Sequence, residues 1–232
     1  MMSVVNTSAK AWRDPDWSSL VFLSHFDGAD AATTFVDSSP HARTITAVGN
    51  AQIDTAQSKF GGSSLLLDGT GDCVTIPNHA DLDFGSGDFV IDMWIRPASS
   101  GQTCMLFAKR ANSTDYTPLG LYLINGELTV YASTDGVSWD LVSGHVFGTP
   151  SVNQWSHVRL NRYGELLYGY LNGVGADVAI SGTMFSNSAA ASIGANEDGS
   201  ASFDGHIDEY AIWKGISKPT ADFPPPGVPW SQ

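Results

Sequence analysis

Residues 88–97 read DFVIDMWIRP, and this stretch decides the fold class because apolar and polar positions alternate along it. Alternation with a period of two gives a β-strand one wholly apolar face. That face is made of Phe89, Ile91, Met93 and Ile95. The opposite face holds Val90, Asp92, Trp94 and Arg96. Pro97 has no amide hydrogen to donate to a neighbouring strand, so the strand is predicted to end there.

Two hairpins extend the same pattern along the chain. The segments GLYLINGELTVYA and ELLYGYLNGVGADVAI each contain two alternating runs joined by Asn-Gly, at Asn125-Gly126 and Asn172-Gly173. Asn-Gly readily adopts the positive φ angles of a tight type I′ turn. No window of helical length carries an apolar stripe with a period of about 3.6 residues. The sequence therefore predicts an all-β fold.

The composition fits one such domain. Of the 232 residues, 42% are hydrophobic, 15% are charged and 24 are glycine, which is typical of short strands joined by tight turns. The formal net charge of −13 would repel nucleic-acid phosphates and anionic lipid headgroups, so neither is an expected partner. Residues 1–17 contain no apolar stretch of signal-peptide length, and no later stretch approaches the ~18 apolar residues of a membrane span. We expect neither classical secretion nor a membrane anchor.

The two cysteines, Cys73 and Cys104, both lie in apolar strand-like runs. Buried free thiols are the main expectation. A disulfide between them is the alternative, and it requires a separation that a sequence does not give.

An ordered set of five motifs resembles the laminin G-like domains of the concanavalin A-like jelly-roll superfamily. The motifs are KFGGSSLLLDGTGDCVTIPNHADLDFGSGDFVIDMWIRP, LFAKR, GLYLINGELTVYASTDGVSW, NQWSHVRLNRYGELLYGYLNGV and FDGHIDEYAIWKG. The resemblance implies two curved antiparallel sheets packed face to face, with the chain ends on one side. The alternating strands supply the two apolar inner faces that such a sandwich needs. The chain accordingly divides into an N-terminal extension at 1–19, a jelly-roll domain at 20–216 and a Pro-rich C-terminal strap at 217–232.

Residues 14–62 resemble, more narrowly, laminin G-like domains of bacteriophage structural proteins. This resemblance implies a non-catalytic virion protein, either tail-associated or decorating the particle surface, that is assembled in the host cytoplasm and engages host-surface glycans. The alternative is a secreted or cell-surface bacterial carbohydrate-binding module.

Catalysis is not expected, although the same superfamily contains glycoside hydrolases. Those enzymes carry acids at alternating positions of one strand, as in a Glu-x-Asp-x-x-Glu run, and this sequence lacks that run. Its closest approach is Asp208-Glu209, but adjacent residues of a regular strand face opposite sides and cannot flank one glycosidic bond. The sequence also has no Gly-x-Ser-x-Gly nucleophile motif.

Asp208 lies in a predicted strand that is apolar on both faces. Alternation places it with Tyr210 and Ile212, and the opposite face holds Ile207, Ala211 and Trp213. A buried carboxylate must be paired, hydrogen-bonded or bound to a cation, because an unpaired buried charge is too costly.

A structural Ca²⁺ is one way to satisfy Asp208. Three other acids, Asp27, Asp37 and Asp204, would complete an oxygen cage with it, since Ca²⁺ takes about six to eight oxygen ligands. Many members of the family bind one Ca²⁺ through acids at the sandwich edge. The alternative is that Asp208 accepts hydrogen bonds from backbone amides in a turn.

Two loops combine aromatic rings with carboxyl and amide groups, as carbohydrate sites do. The loop ASTDGVSWD turns at Asp135-Gly136 and offers Ser133, Asp135 and Trp139. The loop RANSTDYT offers Asn112, Asp115 and Tyr116. These residues are the candidate glycan site. The alternative is that Trp139 belongs to the core and its motif is a hairpin element.

The chain ends carry large aromatics in polar or proline-rich surroundings. Trp12 and Trp17 precede the domain, and Phe223 and Trp230 follow it. The final run FPPPGVPWSQ favours polyproline II and is predicted to project from the domain as a stiff strap. Exposed aromatics gain little in water, so we expect the extensions to bind other virion proteins or neighbouring copies of the chain. An ordinary frayed tail is the alternative.

Overall fold

Antiparallel strands account for nearly all the regular structure in the computed structural model, which describes residues 14–112 and 114–231. Eight strands form the larger sheet: β1 (Leu20–Ser24), β3 (Gln52–Asp54), β4 (Ser64–Asp68), β6 (Phe89–Pro97), β11 (Ser156–Tyr163), β12 (Leu166–Leu171), β13 (Val174–Ala179) and β15 (Asp204–Lys214). Their order is β13-β12-β11-β6-β15-β4-β3, and β1 also pairs with β15.

The second layer consists of two smaller sheets. A four-stranded sheet has the order β10 (Val142–Gly148), β9 (Glu127–Ala132), β8 (Leu119–Ile124) and β7 (Cys104–Phe107). A three-stranded sheet has the order β14 (Ala191–Ile193), β5 (Cys73–Ile76) and β2 (Thr46–Val48). A single bridge between Ala108 and Ser192 connects the two sheets. The predicted all-β, concanavalin A-like jelly-roll sandwich of two antiparallel layers is confirmed.

Helical structure within the described residues is limited to two 3₁₀ helices, Trp17–Ser19 and Ala80–Leu82. Among these residues, no helix has the length and apolar character needed to cross a membrane.

The main core lies between the layers, and β6 shows how the sequence builds it. The side chains of Phe89, Ile91, Met93 and Ile95 are all buried in this core, as alternation predicts. On the other face of β6, Val90 belongs to a second cluster, on the outside of the larger sheet. Strand β6 therefore buries both of its faces.

Both Asn-Gly hairpins are confirmed. Asn125 and Gly126 have φ angles of 53° and 85°, and they connect β8 to β9. Asn172 and Gly173 have φ angles of 51° and 81°, and they connect β12 to β13. The pair of positive values matches the type I′ turn that the sequence predicts.

Strand β15 departs from regular alternation at a β-bulge. Asp208 pairs with Trp94 and Ala211 pairs with Asp92, so two residues of β15 stand opposite Met93 alone. Glu209 has a φ angle of 51°, which lies in the left-handed region. The predicted faces are therefore wrong beyond Asp208. Ile207, Tyr210 and Ile212 all enter the main core, whereas Ala211 and Trp213 join the outer cluster.

The C-terminal strap packs on its own domain. Trp230 is 5% exposed, and its ring lies 4.9 Å from that of Trp213 in an edge-to-face arrangement. Phe223 contacts Tyr170 at a ring separation of 5.2 Å and donates its backbone N–H to Gly173. The prediction that this segment projects from the domain is wrong for the residues that the structure describes. Its two aromatics find partners on the outer face of the larger sheet.

The two ends of the described residues meet on one side of the sandwich, as the family resemblance implies. The N–H of Asp14 donates to the carbonyl of Ser231 at 3.1 Å. Trp17 packs partly buried against the outer cluster. Trp12 and the rest of residues 1–13 lie outside the described residues, so the prediction for them stays a prediction.

Cys73 and Cys104 are free and buried, which confirms the main expectation. Burial raises the pKa of both thiols to about 12, so neither is a reactive thiolate near neutral pH.

Candidate functional site

The two loops predicted to bind sugar meet in the structure. The ring of Tyr116 lies 4.7 Å from that of Trp139, at an interplanar angle of 53°. Trp139 lies 5.1 Å from Tyr131 of β9, and Tyr131 lies 5.3 Å from Tyr122 of β8. We call these four residues the aromatic row. It runs along the outer face of the four-stranded sheet and ends at the two loops.

Glycines hold the inner half of the row in place. Gly120 lies opposite Tyr131 in the β8–β9 pairing, and a methyl group on Gly120 would overlap the ring of Tyr122. A Cβ on Gly144 would lie 3.0 Å from the hydroxyl oxygen of Tyr131. Tyr122 therefore lies flat over a bare stretch of backbone, and Tyr131 is fixed between it and Trp139. Preformed rings lose little conformational entropy when a ligand stacks on them.

Asp135 locks the hairpin that carries Trp139. Its Oδ1 accepts hydrogen bonds from the N–H groups of Val137 and Ser138 at 2.9 and 3.0 Å, and from the Ser133 hydroxyl at 3.1 Å. These bonds, led by that of Val137, hold the pKa of Asp135 below its ordinary value. Asp135 thus fixes the turn, and a direct contact between its carboxylate and a sugar stays a prediction.

The loop that carries Tyr116 is fixed by Arg110. The buried guanidinium donates from Nε to Asn196 Oδ1 and from Nη1 to the carbonyl of Asp115, each at 2.7 Å. It also lies 5.6 Å from the ring centre of Tyr122. Asn112 closes the loop by accepting from the N–H of Thr114 and donating to Asp115 Oδ2. Arg110 therefore connects the loop to the aromatic row.

A cleft of about 600 Å³ opens where the row ends. Its walls include Arg110, Asp115, Tyr116, Val137, Phe185 and Asn187. Asp115 and Val137 are exposed, while Tyr116 and Phe185 are half-buried. Its size falls within the range of small-molecule sites. It combines apolar walls with an open carboxylate.

Sequence reasoning found one half of this site and missed the other. Tyr116, Trp139, Asp115 and Asp135 were assigned to separate loops, and the structure brings those loops together. Tyr131 could have been found from the hairpin register, because it falls opposite Gly120. Phe185 and Asn187 come from a segment without a recognisable pattern.

The four acids predicted to hold Ca²⁺ do not form one cage. Asp37 is occupied by the N–H groups of Leu23, Ser39 and Arg43, at 3.0, 2.9 and 2.7 Å. Asp204 pairs with the strand position of Asp68 and accepts from the Ser99 hydroxyl. Within the described residues, no group of three or more His, Cys, Asp or Glu side chains is placed to hold a metal ion.

Asp208 and Asp27 both contact the loop at residues 59–61. Asp208 Oδ2 accepts from the N–H of Lys59 at 2.7 Å and from that of Phe60 at 3.1 Å. A Cβ on Gly61 would overlap the carboxyl group of Asp27. The alternative that Asp208 binds backbone amides is thus what the structure shows, and a structural Ca²⁺ stays a prediction.

The bulge also changes the reason why Asp208 and Glu209 are poor catalytic acids. Both carboxyl groups reach partners on or beside the outer face, rather than opposite faces. Glu209 Oε1 lies 2.8 Å from His25 Nδ1, and its Oε2 accepts from the N–H of Trp230 at 3.0 Å. Each acid is engaged by the protein and buried, so neither is open to a glycosidic bond.

Comparison with known proteins agrees with this architecture. The laminin G family model described as "Concanavalin A-like lectin/glucanases superfamily" matches residues 68–220. No curated protein is similar enough to the chain to count as a match.

Several solved structures share the fold. The binding domain of Paraclostridial Mosquitocidal Protein 1 matches with a TM-score of 0.66 at 16% identity, over 88% of this chain and 50% of that one. Domain 4 of AbnA, a GH43 extracellular arabinanase from Geobacillus stearothermophilus, in complex with arabinotriose, gives 0.62 at 18% identity, over 86% and 94%. The binding domain of botulinum neurotoxin DC in complex with SialylT gives 0.62 at 15%, over 87% and 49%. The chain therefore spans about half of each toxin domain and nearly all of the arabinanase domain. At these identities the likeness shows the fold alone.

Proposed function

The chain belongs to the concanavalin A-like lectin/glucanases superfamily, and we propose that it is a non-catalytic carbohydrate-binding module of this superfamily. The proposed site is the cleft at the end of the aromatic row. The observation that carries the proposal is the position of Trp139, which is half-buried between the rings of Tyr131 and Tyr116 beside an open cleft.

The chemistry of the cleft suits a sugar. The aromatic rings of Tyr116 and Phe185 line the cleft, and Trp139 packs on Tyr116 beside it. These rings offer apolar faces for the C–H side of a pyranose or furanose ring. Asp115 supplies an exposed acceptor for hydroxyl groups, since its Oδ1 receives no hydrogen bond from the described residues. A few polar groups among apolar walls are what orient a small ligand.

The acids of the cleft support the proposal that the chain does not hydrolyse glycosides. Of the described residues that line it, Asp115 is the only carboxylate. Hydrolysis by the usual mechanism needs two carboxyl groups about 5–9.5 Å apart across the scissile bond. The buried acids Asp208 and Glu209 lie on the larger sheet, in the other layer. These observations support binding without catalysis.

Two of the similar structures suggest where a ligand search should begin. Their descriptions name arabinotriose and SialylT as the bound glycans. A glycan array that includes arabino-oligosaccharides and sialylated glycans is the first experiment. Calorimetric titration with the best ligand then measures the affinity of the chain and of its variants.

Trp139→Ala is expected to weaken binding by about tenfold or more, because a stacked ring contributes on the order of 1 kcal/mol beyond buried area. Trp155→Ala is the matched control, since Trp155 is also half-buried but adjoins His206 on the larger sheet. Failure to bind any glycan would refute the function. Equal affinity of the Trp139→Ala variant would refute the site, and reducing sugar released from the bound glycan would refute the absence of catalysis.

Two biological settings are proposed for this module, and different resemblances support them. The likeness of residues 14–62 to phage structural proteins supports a virion module, on a tail or particle surface, that engages host glycans. The solved structures named above are toxin and arabinanase domains, which favour the alternative of a secreted or cell-surface bacterial module. Trp230 packs on Trp213 of its own domain, so it does not support attachment of the chain to a neighbour. Mass spectrometry of purified particles separates the two settings.

A further inference from the structure

A second cavity lies on the opposite side of the molecule from the cleft. It is a groove of about 440 Å³ between the C-terminal strap and the outer face of the larger sheet. The strap side is almost wholly apolar and consists of Phe223, Pro224, Pro225, Pro226, Val228 and Trp230. From the sheet side, Arg159 of β11 lines the groove. A single guanidinium thus faces a wall of proline and aromatic side chains.

Arg159 is held rigidly at one end and left open at the other. Its Nε donates to Asp92 Oδ2 at 2.6 Å, and its guanidinium carbon lies 4.1 Å from the ring centre of Phe223. Among the described residues, its two terminal nitrogens have no hydrogen-bond partner. The side chain as a whole is 7% exposed, but its terminal nitrogens are not among the buried atoms of the described residues that lack a partner, so they reach the solvent in the groove. These N–H groups are therefore available to a ligand that enters the groove.

Lys218 lines the same groove and provides an internal comparison. Its Nζ donates to Asp14 at 2.9 Å and to Asp16 at 2.6 Å. Two carboxylates therefore neutralise this ammonium group from within the chain. Arg159, by contrast, shares one carboxylate, Asp92, with His157, whose Nε2 lies 2.8 Å from Asp92 Oδ1. Asp92 pairs with the charge of Arg159, and the terminal N–H groups are the part of this cation that no described residue engages.

We propose that this groove is a second ligand site, and that it binds a small carboxylic acid with an apolar body. The two terminal N–H groups of a guanidinium match the two oxygens of a carboxylate, and this paired geometry is stronger and more directional than a single hydrogen bond. The apolar body would lie against Phe223 and the proline faces. The volume suits a small molecule rather than a protein segment.

Two acids, 3-phenylpropionate and octanoate, serve as probes, with their primary amides as neutral analogues of the same shape. Calorimetry measures affinity, and the NMR signal of the Arg159 Nε–H reports contact at the guanidinium. We expect saturable binding of at least one acid below about 10 mM, and a dissociation constant about tenfold or more higher for its amide. No saturation by either acid in that range, or equal affinity of acid and amide, overturns the proposal.

Two variants test the location. Val228→Trp fills the groove from a position that is 49% exposed, so the fold should tolerate it and binding should be lost. Val146→Trp is the matched control, at a 43% exposed valine of β10 that does not line the groove, and it should bind as the unmodified chain does. Arg159→Lys keeps the ion pair with Asp92 but removes the paired terminal N–H groups that would bind both carboxylate oxygens. It should weaken binding about tenfold. Unchanged affinity in the Val228→Trp variant places the acid elsewhere and refutes this site.

Discussion

The two outer faces of the sandwich carry similar aromatic residues, and the chain treats them differently. On the larger sheet, Trp213 is fully buried under Trp230 and the strap. On the four-stranded sheet, Trp139 of the aromatic row is left half-buried. We call these the covered face and the open face. In this chain, the strap covers Trp213 and leaves it unavailable to a ligand, whereas Trp139 keeps part of its surface exposed.

Charged groups are also buried on the covered face and exposed on the open face. The covered face buries its ions in pairs, with Asp92 between His157 and Arg159. Burial opposes ionisation of Asp92, but the charges of these two partners outweigh it and hold the pKa of Asp92 below its ordinary value. The open face keeps its acids in solvent, where Asp135 and Asp140 fix the hairpin. Stability should therefore depend on the first face and recognition on the second.

Deleting residues 224–232 should have the largest effect on stability, because it exposes Trp213 and so removes the difference between the covered and open faces. We expect the free energy of unfolding to fall by about 5 kcal/mol or more, since truncating one buried Trp alone costs about 3–5 kcal/mol. The deletion also removes the N–H that Trp230 donates to Glu209. Urea unfolding, followed by fluorescence and circular dichroism, measures the change. Trp139→Ala is the open-face control and should cost much less. A truncated chain as stable as the intact one would show that the strap does not belong to the fold.

Asp92→Asn tests the buried charges of the covered face. The amide has no net charge to offset Arg159, and breaking a buried pair from one side costs about 3–5 kcal/mol, so we expect a loss near 3 kcal/mol. Asp135→Asn on the open face is the matched variant and should have a smaller effect. Chemical denaturation of both variants in one buffer measures the two free energies of unfolding. Equal stability of the two would remove the electrostatic part of the comparison.

Local patterns predicted what lies between the sheets, and long-range contacts determined what lies outside them. Alternation in residues 88–97 assigns the core face of β6 correctly, because register along one strand is a local property. In β15, the alternation rule fails at Glu209, because nothing in the sequence indicates that this non-glycine residue has a positive φ angle. The same limit explains the strap. Proline favours an extended chain, but whether that chain docks depends on Trp213 and Glu209, which are distant in sequence from the proline run.

The candidate site shows the same division. Tyr116 and Trp139 each stand in a loop whose composition suggests sugar binding, so each loop could be predicted alone. Their ring separation of 4.7 Å depends on how the loop after β7 packs against the hairpin after β9. Phe185 reaches the cleft from a segment without regular structure, and no spacing rule connects it to either loop.

The pH dependence of stability should distinguish the covered face from the open face, because their ionisable groups titrate in different pH ranges. Burial raises the pKa of Asp208 to about 7 from 3.8, so the folded state holds this proton more tightly. Burial lowers the pKa of His25, but the hydrogen bond and charge of Glu209 outweigh it, and that pKa is raised from 6.5. Both groups favour the folded state at lower pH, and their contribution is lost as pH rises through 7. Asp135 and Asp140 have lowered pKa values, so their contribution is lost only as pH falls below about 4.

We therefore expect stability to decrease by up to about 2 kcal/mol between pH 5 and pH 7, since one proton contributes at most about 1.4 kcal/mol per pH unit. Urea unfolding at pH 5, 6 and 7 measures the slope. Asp208→Asn should remove most of it, and Asp135→Asn should leave it unchanged. A slope that Asp208→Asn leaves unchanged would mean that Asp208 is ionised throughout this range. A flat profile alone would not, because burial lowers the pKa of His206 and its contribution rises with pH in the same window.

Gly120→Ala should have the smallest effect on stability. It tests whether the inner rings of the aromatic row contribute to glycan binding, because it acts on the open face alone. The new methyl group would overlap the ring of Tyr122 and push it toward Tyr131. Overpacking inside a core costs about 1–3 kcal/mol, but here the methyl group meets the far end of the Tyr122 side chain, so we expect a cost below about 1 kcal/mol. We expect altered near-ultraviolet circular dichroism and weaker glycan binding, with little change in the unfolding midpoint. Gly227→Ala in the strap is the matched control, since a Cβ there meets no atom within 4 Å. If Gly120→Ala binds glycan as tightly as the control does, the inner rings do not position Trp139, and the site reduces to the two loops.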